Sequence, residues 1–320
     1  MTSQECDSRF RRWNDARVRA DSHRLEQRAQ HTTRQALQTS DRQTILLASC
    51  VVVIVIRQPI PIEGGLTPGV SFSKLEGRFK LVSVGRAGVW AISANNQVHY
   101  REKTYGNEND AGDSWMLVDG QGLTQVDVGN NIVWGVSSTR DVFYRRGIGR
   151  SHPMGAMWVK VAGSLKHVTV SQKGHVWGIS ETDVVYHRIG ASKCNRAGDS
   201  WSQIGGTLMK QISVGSGGVW GVSSASSVYY REGTYGDPDS DPDGLNWVIV
   251  DGGLKYITSA DRIYGVNDRN MIYFRVGVSA ANPRGSDWQN IPGALNQVDS
   301  LSLTIWGTTN TNYIFVKRTN

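Results

Sequence analysis

The sequence contains few of the features that mark a stapled scaffold, a helical fold or a nucleic-acid-binding surface. Its three cysteines, Cys6, Cys50 and Cys194, lie far apart, which excludes a disulfide framework and a cysteine-based zinc module. No sustained helical period is present. The net charge is +7, but no block of Lys and Arg after residue 63 forms a basic stripe. We therefore expect no nucleic-acid partner.

Motifs for catalysis and metal binding are also missing. The seven histidines are scattered, and neither H-E-x-x-H nor G-x-S-x-G occurs, so we expect no enzyme activity, no cofactor and no metal site. The segment that starts at Asp239 matches the beginning of a calcium loop, D-x-D-x-D-G. Its twelfth position is Val250, where such a loop needs a bidentate Glu. An acidic, solvated loop is the preferred interpretation, and a calcium site is the alternative.

The first 63 residues differ in composition from the rest of the chain. Residues 1–43 are rich in Arg, Gln, Ser and Thr, a composition typical of disorder. Residues 44–63 contain the apolar run Ile45–Ile56 and then a Pro-containing linker. The run is shorter than the roughly twenty residues of a membrane-spanning helix and matches the core of a signal peptide. We expect a secreted protein without a membrane anchor; a weak anchor or a buried strand, with the protein membrane-tethered or cytoplasmic, are the alternatives.

An internal repeat organises residues 64–320. One series of segments centres on an aromatic residue within V-W-G-V-like strands, and its members are VGRAGVWAIS (84–93), VGNNIVWGVS (128–137), VSQKGHVWGIS (170–180), VGSGGVWGVS (214–223), ADRIYGVN (260–267) and SLTIWGTT (302–309). The central aromatic residues recur at steps of 42 to 44 residues: Trp90, Trp134, Trp177, Trp220, Tyr264 and Trp306. A period of this length is typical of propellers and repeat arrays.

Two further series share the same period. One begins W-x-x-(hydrophobic)-x-G-like segments, at Phe72, Trp115, Trp158, Trp201, Trp247 and Trp288. The other series consists of short runs of hydrophobic and aromatic residues that end in a basic residue. Its members are VHYR (98–101), VFYR (142–145), VYHR (185–188), VYYR (228–231), IYFR (272–275) and IFVK (314–317). Three series in one register indicate six repeats.

Each repeat contains four short strand-like pieces separated by turn residues. In the fourth repeat these pieces are Leu208–Val214, Val219–Ser224, Ser227–Glu232 and Trp247–Val250. Six repeats of four strands without helices predict an all-β, six-bladed propeller. The sequence enters the repeat at the fourth-strand position and leaves it at the third. We therefore expect Val70–Glu76 to supply the outer strand of the last blade and to close the ring.

With this pattern in hand, the chain resembles a known family. G-x-x-V-W-G-V-x-S…V-Y-Y-R followed by W-x-x-V-x-G-x-L is similar to the tectonin repeat of fish-egg lectins, tachylectin-type lectins and tectonins, over about residues 70–320. The resemblance implies a six-bladed propeller that binds carbohydrate on cell surfaces, often microbial ones, without catalysis. It also implies a role in innate immunity, with cell-wall sugars or lipopolysaccharide as ligands.

Repeated side chains outside the apolar strand centres are the candidates for binding. Trp90, Trp134, Trp177 and Trp220 lie among apolar neighbours and are expected in the core, with adjacent glycines that allow blades to approach. Exposed Trp or Tyr rings could stack on a pyranose, and Arg could bind hydroxyl pairs or acids. Blade-to-blade packing and surface ion pairs are the alternatives. The candidates are Arg101, Tyr105, Trp115, Arg145, Trp158, Arg188, Trp201, Arg231, Tyr235, Trp247, Arg275 and Trp288.

Two functions follow from this interpretation. The first is a multivalent lectin, in which a ring of near-equivalent weak sites gains avidity on a surface dense in glycans. The second is an intracellular or membrane-tethered scaffold for protein interactions, because one fold supports several functions. The sugar, the number of active sites, the binding face and the oligomeric state do not follow from the sequence.

Overall fold

The computed structural model describes residues 71–240 and 242–319, which form 24 β-strands and no helix. The strands are β1 (Ser73–Arg78), β2 (Leu81–Gly85), β3 (Gly88–Ile92), β4 (Val98–Arg101), β5 (Trp115–Leu117), β6 (Gln125–Val128), β7 (Val133–Val136), β8 (Asp141–Arg146), β9 (Met157–Ser164), β10 (His167–Val170), β11 (Val176–Ile179), β12 (Val185–Ile189), β13 (Ser200–Ile204), β14 (Gln211–Gly215), β15 (Gly218–Val222), β16 (Ser227–Arg231), β17 (Trp247–Gly253), β18 (Tyr256–Ser259), β19 (Ile263–Val266), β20 (Met271–Val276), β21 (Asp287–Ala294), β22 (Gln297–Leu301), β23 (Thr304–Thr308) and β24 (Tyr313–Arg318).

The strands form six antiparallel sheets of four, which are the six predicted blades. Blades 1 to 5 are β2–β5, β6–β9, β10–β13, β14–β17 and β18–β21, and blade 6 has the order β22-β23-β24-β1. The innermost strands contact one another around a closed ring, including β22 against β2. In blade 4 the inner strand begins at Gln211, three residues later than the sequence pattern predicted. The other three strands overlap their predicted ranges, and the outer one continues three residues further, to Gly253.

The ring closes as expected, through the first strand of the described chain. β1 pairs antiparallel with β24, with Ser73 opposite Val316 and Lys74 opposite Phe315. Blade 6 therefore takes three strands from the end of the sequence and its outer strand from the beginning. This pairing covers the outer edge of β24 with backbone hydrogen bonds, and it joins the two ends of the propeller.

Apolar side chains between neighbouring blades make up the core. The four central Trp residues expected in the core are fully buried: Trp90, Trp134, Trp177 and Trp220. Trp306 of the same series is fully buried as well. The glycine after them does not serve the contact between blades that its position suggested. A Cβ on Gly135 would lie 2.6 Å from Leu123, and one on Gly178 would lie 2.4 Å from Leu165. These leucines lead into the same blade, so the glycine makes room within a blade.

Side-chain amides connect three pairs of neighbouring inner strands, in addition to packing. The Gln297 amide donates to Val82 O at 2.8 Å and accepts from Val82 N at 3.1 Å. Gln125 bonds the backbone of Val168 in the same manner, at 2.8 and 3.1 Å. A side chain from one blade thus replaces the missing backbone pairing with the next. Residues 1–70, which include the Arg-rich segment and Ile45–Ile56, lie outside the described residues. No helix in the described part of the chain is long and apolar enough to cross a membrane.

Candidate functional site: the crevices between blades

The bases of the third repeat series are paired with the tryptophans of the second. Arg101 lies opposite Trp115, and Arg188 lies opposite Trp201, on the two outer strands of their blades. Each guanidinium stands 5.2 to 5.5 Å from the centre of the facing indole ring, close enough for a cation–π contact. Lys317 repeats the arrangement over Phe72 at 5.8 Å. Six blades therefore present one ladder of stacked base and ring.

The arginines of this ladder are buried. Their exposed fractions run from 2% to 7%, for Arg101, Arg145, Arg188, Arg231 and Arg275. Each Nε donates to a carbonyl in the loop before the facing tryptophan, at 2.7 Å for Arg101 to Ala111 and 2.9 Å for Arg188 to Ala197. A planar guanidinium can hold such a loop in one conformation. These arginines therefore order the loops in addition to any contact with a ligand.

The tryptophans of the ladder seal one blade against the preceding one. The Trp201 indole N–H donates to Ala162 O at 2.8 Å, and that of Trp288 donates to Asp251 O at 2.7 Å. The next residue along the accepting strand is a glycine with positive φ. A Cβ on Gly163 would lie only 2.6 Å from Trp201 Nε1. The half-buried rings thus belong to the blade interface, and their binding of sugar stays a prediction.

The two tyrosines at the edge of the ring differ in their surroundings. Tyr105 and Tyr235 are both half-buried, in matching loops of blades 1 and 4. The Tyr105 hydroxyl donates to the Asn131 side chain in blade 2. The threonine before each tyrosine anchors its loop, because the hydroxyls of Thr104 and Thr234 each donate to an arginine carbonyl at 2.6 Å. The loops that follow the third strands of blades 1 and 4 are thereby fixed.

A further aromatic series lines the crevices, and its only signal in the sequence was indirect. It stands two residues before each base, on the same face of the strand, and consists of His99, Phe143, Tyr186, Tyr229, Tyr273 and Phe315. All of them but Phe143 are half-buried. Between blades 5 and 6 the crevice opens into a cavity of about 380 Å³, lined by Ser71, Phe72, Pro292, Gly293, Ala294, Leu295, Thr309 and Phe315. This volume is in the range of small-ligand sites.

The acidic loop of blade 4 packs onto histidines of blade 3. Asp237 Oδ1 lies 2.7 Å from His175 Nδ1, and Asp243 Oδ1 lies 2.6 Å from His187 Nδ1. Burial lowers the pKa of His187, against the opposing effect of Asp243. Nowhere in residues 71–240 and 242–319 are three or more His, Cys, Asp or Glu side chains placed to hold a metal ion.

The closed ring of six four-stranded blades and its repeated Arg–Trp ladder define a six-bladed β-propeller with a series of crevices between blades. A family model described as the tectonin domain matches residues 104–310. The chain therefore belongs to the tectonin family, as the repeat pattern indicated.

Curated relatives agree with this family. Over 237 residues the chain is 25% identical to the Perivitellin-2 31 kDa subunit of Pomacea maculata, which covers 71% of this chain and 80% of that protein. It is 33% identical over 136 residues to Tectonin beta-propeller repeat-containing protein 1 of Mus musculus. That match covers 27% of this chain and 12% of the mouse protein.

Solved structures align with this chain at low sequence identity. The structure of human WBSCR16 aligns with a TM-score of 0.47 and 11% identity, covering 76% of this chain and 77% of that one. The Cps50 (Swd1) β-propeller domain of Myceliophteria thermophila aligns with a TM-score of 0.49 and 7% identity, covering 78% and 99%.

Proposed function

We propose that this protein is a multivalent lectin that binds surface glycans in the crevices between its blades, without catalysis. The observation that carries the proposal is the cavity between blades 5 and 6, with Phe72 and Phe315 on its walls. A ring face can stack on the apolar face of a pyranose while nearby polar groups bond its hydroxyls. Thr309 and Ser71 supply such groups at this cavity.

The repeat multiplies this arrangement around the propeller. Tyr186, Tyr229 and Tyr273 are half-buried at the corresponding position of blades 3, 4 and 5. Each crevice would bind one sugar weakly, but a glycan-covered surface engages several crevices at once. Linked binding of this kind raises the apparent affinity by roughly 10² to 10⁴. We therefore propose that sugars bind in the crevices around the outside of the ring. Microbial cell-wall sugars and lipopolysaccharide are the ligands to test first.

A glycan-array screen of the full chain tests the proposal, with Phe315→Leu as the informative variant. Leucine keeps apolar bulk in the cavity but removes the ring. Phe274→Leu is the matched control, because Phe274 is half-buried in blade 5, in the same apolar cluster as Phe315, but does not line the cavity. We expect specific binding that weakens at least threefold in Phe315→Leu and not in the control. Equal binding by both variants would remove this cavity from the proposal.

The same screen distinguishes the lectin from the alternative function. A folded protein that binds no glycan would favour the protein-interaction scaffold, either intracellular or membrane-tethered. We further propose that the protein is secreted, which rests on the composition of Ile45–Ile56. Mass analysis of the N-terminus after expression in a secreting host tests this. Cleavage after the apolar run supports secretion, and an intact first segment contradicts it.

A further inference from the structure

One position of the repeat faces each base of the Arg–Trp ladder from the preceding blade. It stands four residues after the aromatic residue that begins each outer strand. In three crevices the backbone carbonyl at this position accepts a hydrogen bond from the indole N–H of the next blade. These carbonyls belong to Glu76, Ala162 and Asp251. The residues at this position are Glu76, Asp119, Ala162, Gly205, Asp251 and Pro292. Half of the crevices therefore contain a carboxylate at this position and half do not.

Where the carboxylate is present, it neutralises the arginine of the next blade. Asp119 Oδ1 accepts from Arg145 Nη2 at 2.6 Å. Asp251 accepts two bonds from Arg275, at 2.7 and 3.2 Å. These hydrogen bonds hold the pKa of Asp251 below its usual value, against the opposing effect of partial burial. Glu76 pairs with Arg101 in the same way. A fork of donors facing a carboxylate is a strong pairing.

Arg188 lacks this partner. It faces Ala162, and it donates hydrogen bonds from Nε to Ala197 O at 2.9 Å and from Nη2 to Gly198 O at 3.5 Å. No carboxylate of the described residues lies within 4.0 Å of it, although it is only 5% exposed. Asp199 acts on it electrostatically from a greater distance. Arg231 and Lys317 face non-acidic residues too, but they have further partners of their own.

We propose that the crevice between blades 2 and 3 is an anion-binding subsite, in which Arg188 takes a carboxylate, sulfate or phosphate group of the ligand. The anion fills the place that the Asp119 carboxylate occupies in the neighbouring crevice. Ala162 is exposed, so the approach from solvent is open. Tyr186 and Gln203 stand side by side on the same two strands and flank the subsite. The inference deepens the proposed function, on which it rests, by giving the charge of the group that this crevice takes.

The physical reason is the cost of a buried charge that no carboxylate pairs at close range. A guanidinium that is almost removed from water loses hydration, and neutral carbonyls replace that loss only in part. A ligand anion restores the charge pairing that the acid provides in the other crevices. Arg also matches the geometry of carboxylate and phosphate oxygens. A neutral sugar offers Arg188 no such gain.

The test follows the tryptophan indole N–H signals in ¹H–¹⁵N spectra of the full chain, assigned by single Trp→Phe variants. Sodium glucuronate and inorganic sulfate are the anionic probes, and glucose is the neutral one. Because Trp201 stacks on Arg188, we expect both anions to shift its signal saturably. The Trp158 and Trp288 signals should stay in place, because Asp119 and Asp251 neutralise their arginines.

Two substitutions at exposed positions should move the anion response from one crevice to the other. Ala162→Asp installs the missing acid, and we expect it to weaken the response of Trp201 at least tenfold. Asp119→Ala removes an acid whose side chain is 82% exposed, and we expect Trp158 to begin responding. A Trp201 signal that ignores both anions, or responds equally in Ala162→Asp, would overturn the subsite. If the protein binds glycans on the array but the Trp201 signal does not respond to anions, only the lectin proposal is supported. If the Trp201 signal responds but no glycan binds, only the anion subsite is supported.

Discussion

Two carboxylates, Asp127 and Asp299, line a channel at the centre of the ring, between the inner strands of the six blades. They should make the stability of the propeller depend on pH. Asp127 accepts a hydrogen bond from Thr169 Oγ1 at 2.8 Å. Asp299 accepts one from Thr258 Oγ1 at 2.6 Å and one from the Val84 amide at 2.8 Å. Each carboxylate therefore links its own blade to a neighbour. Both lie at the same position of an inner strand, where the other blades carry Ser or Thr.

Burial raises the pKa of Asp127 to about 7, and the charge of Asp299 adds to the rise. Asp127 keeps some accessible surface because it lines the channel, but protein surrounds it, so desolvation is the larger effect. The folded state then holds this proton more tightly than the unfolded state does. The resulting stabilisation is complete below about pH 4 and is lost as the pH rises to about 7. At about 1.4 kcal/mol per pH unit below the folded-state pKa, the loss between pH 5 and pH 8 is about 3 kcal/mol.

Denaturant unfolding of the wild type and of Asp127→Asn, from pH 5 to pH 8, measures this loss. His167 contributes a slope of the opposite sign, because burial lowers its pKa to about 4 and its protonation opposes folding in acid. The difference between the two proteins removes that contribution. We expect the variant to gain about 3 kcal/mol relative to the wild type as the pH rises. A difference that stays constant across this range would refute the assignment.

Two further substitutions test the packing and the ion pairs by the same unfolding measurement. Gly215→Ala should destabilise the fold by about 3 kcal/mol or more, because the new Cβ would lie 1.9 Å from the Ser259 carbonyl oxygen of the next blade. Gly205→Ala, with open space at its Cβ, should leave stability unchanged, and equal effects would contradict the close approach. Asp251→Ala should cost about 2 kcal/mol, because Arg275 is 3% exposed and loses its carboxylate. Glu181→Ala breaks an exposed pair with Arg140 and should matter far less; the reverse order would contradict this interpretation.

The sequence predicted the fold well because the repeat encodes it locally. Each of the four strands in a repeat has its own residue pattern. Because six copies share one register, a ring of six four-stranded blades was the arrangement that they predicted. The step that β1 takes into blade 6 also followed from the repeat. The partners of the repeated polar side chains could not be predicted in this way. Arg188 is buried, and the indole of Trp201 that it faces donates to Ala162 O. Both features depend on how one blade packs against the next.

The same comparison changes what repetition implies about binding. The ladder arginines, which recur in five of the six blades, are buried between strands and loops. A ring of near-equivalent sites was the simplest expectation from their repetition. The crevices instead differ where the repeat varies: acids face Arg101, Arg145 and Arg275, whereas Ala162 faces Arg188. The aromatic wall also changes from His99 in blade 1 to Phe315 in blade 6. Multivalency on this scaffold would therefore combine unlike subsites, so the arrangement of charges along a glycan should matter as much as its density.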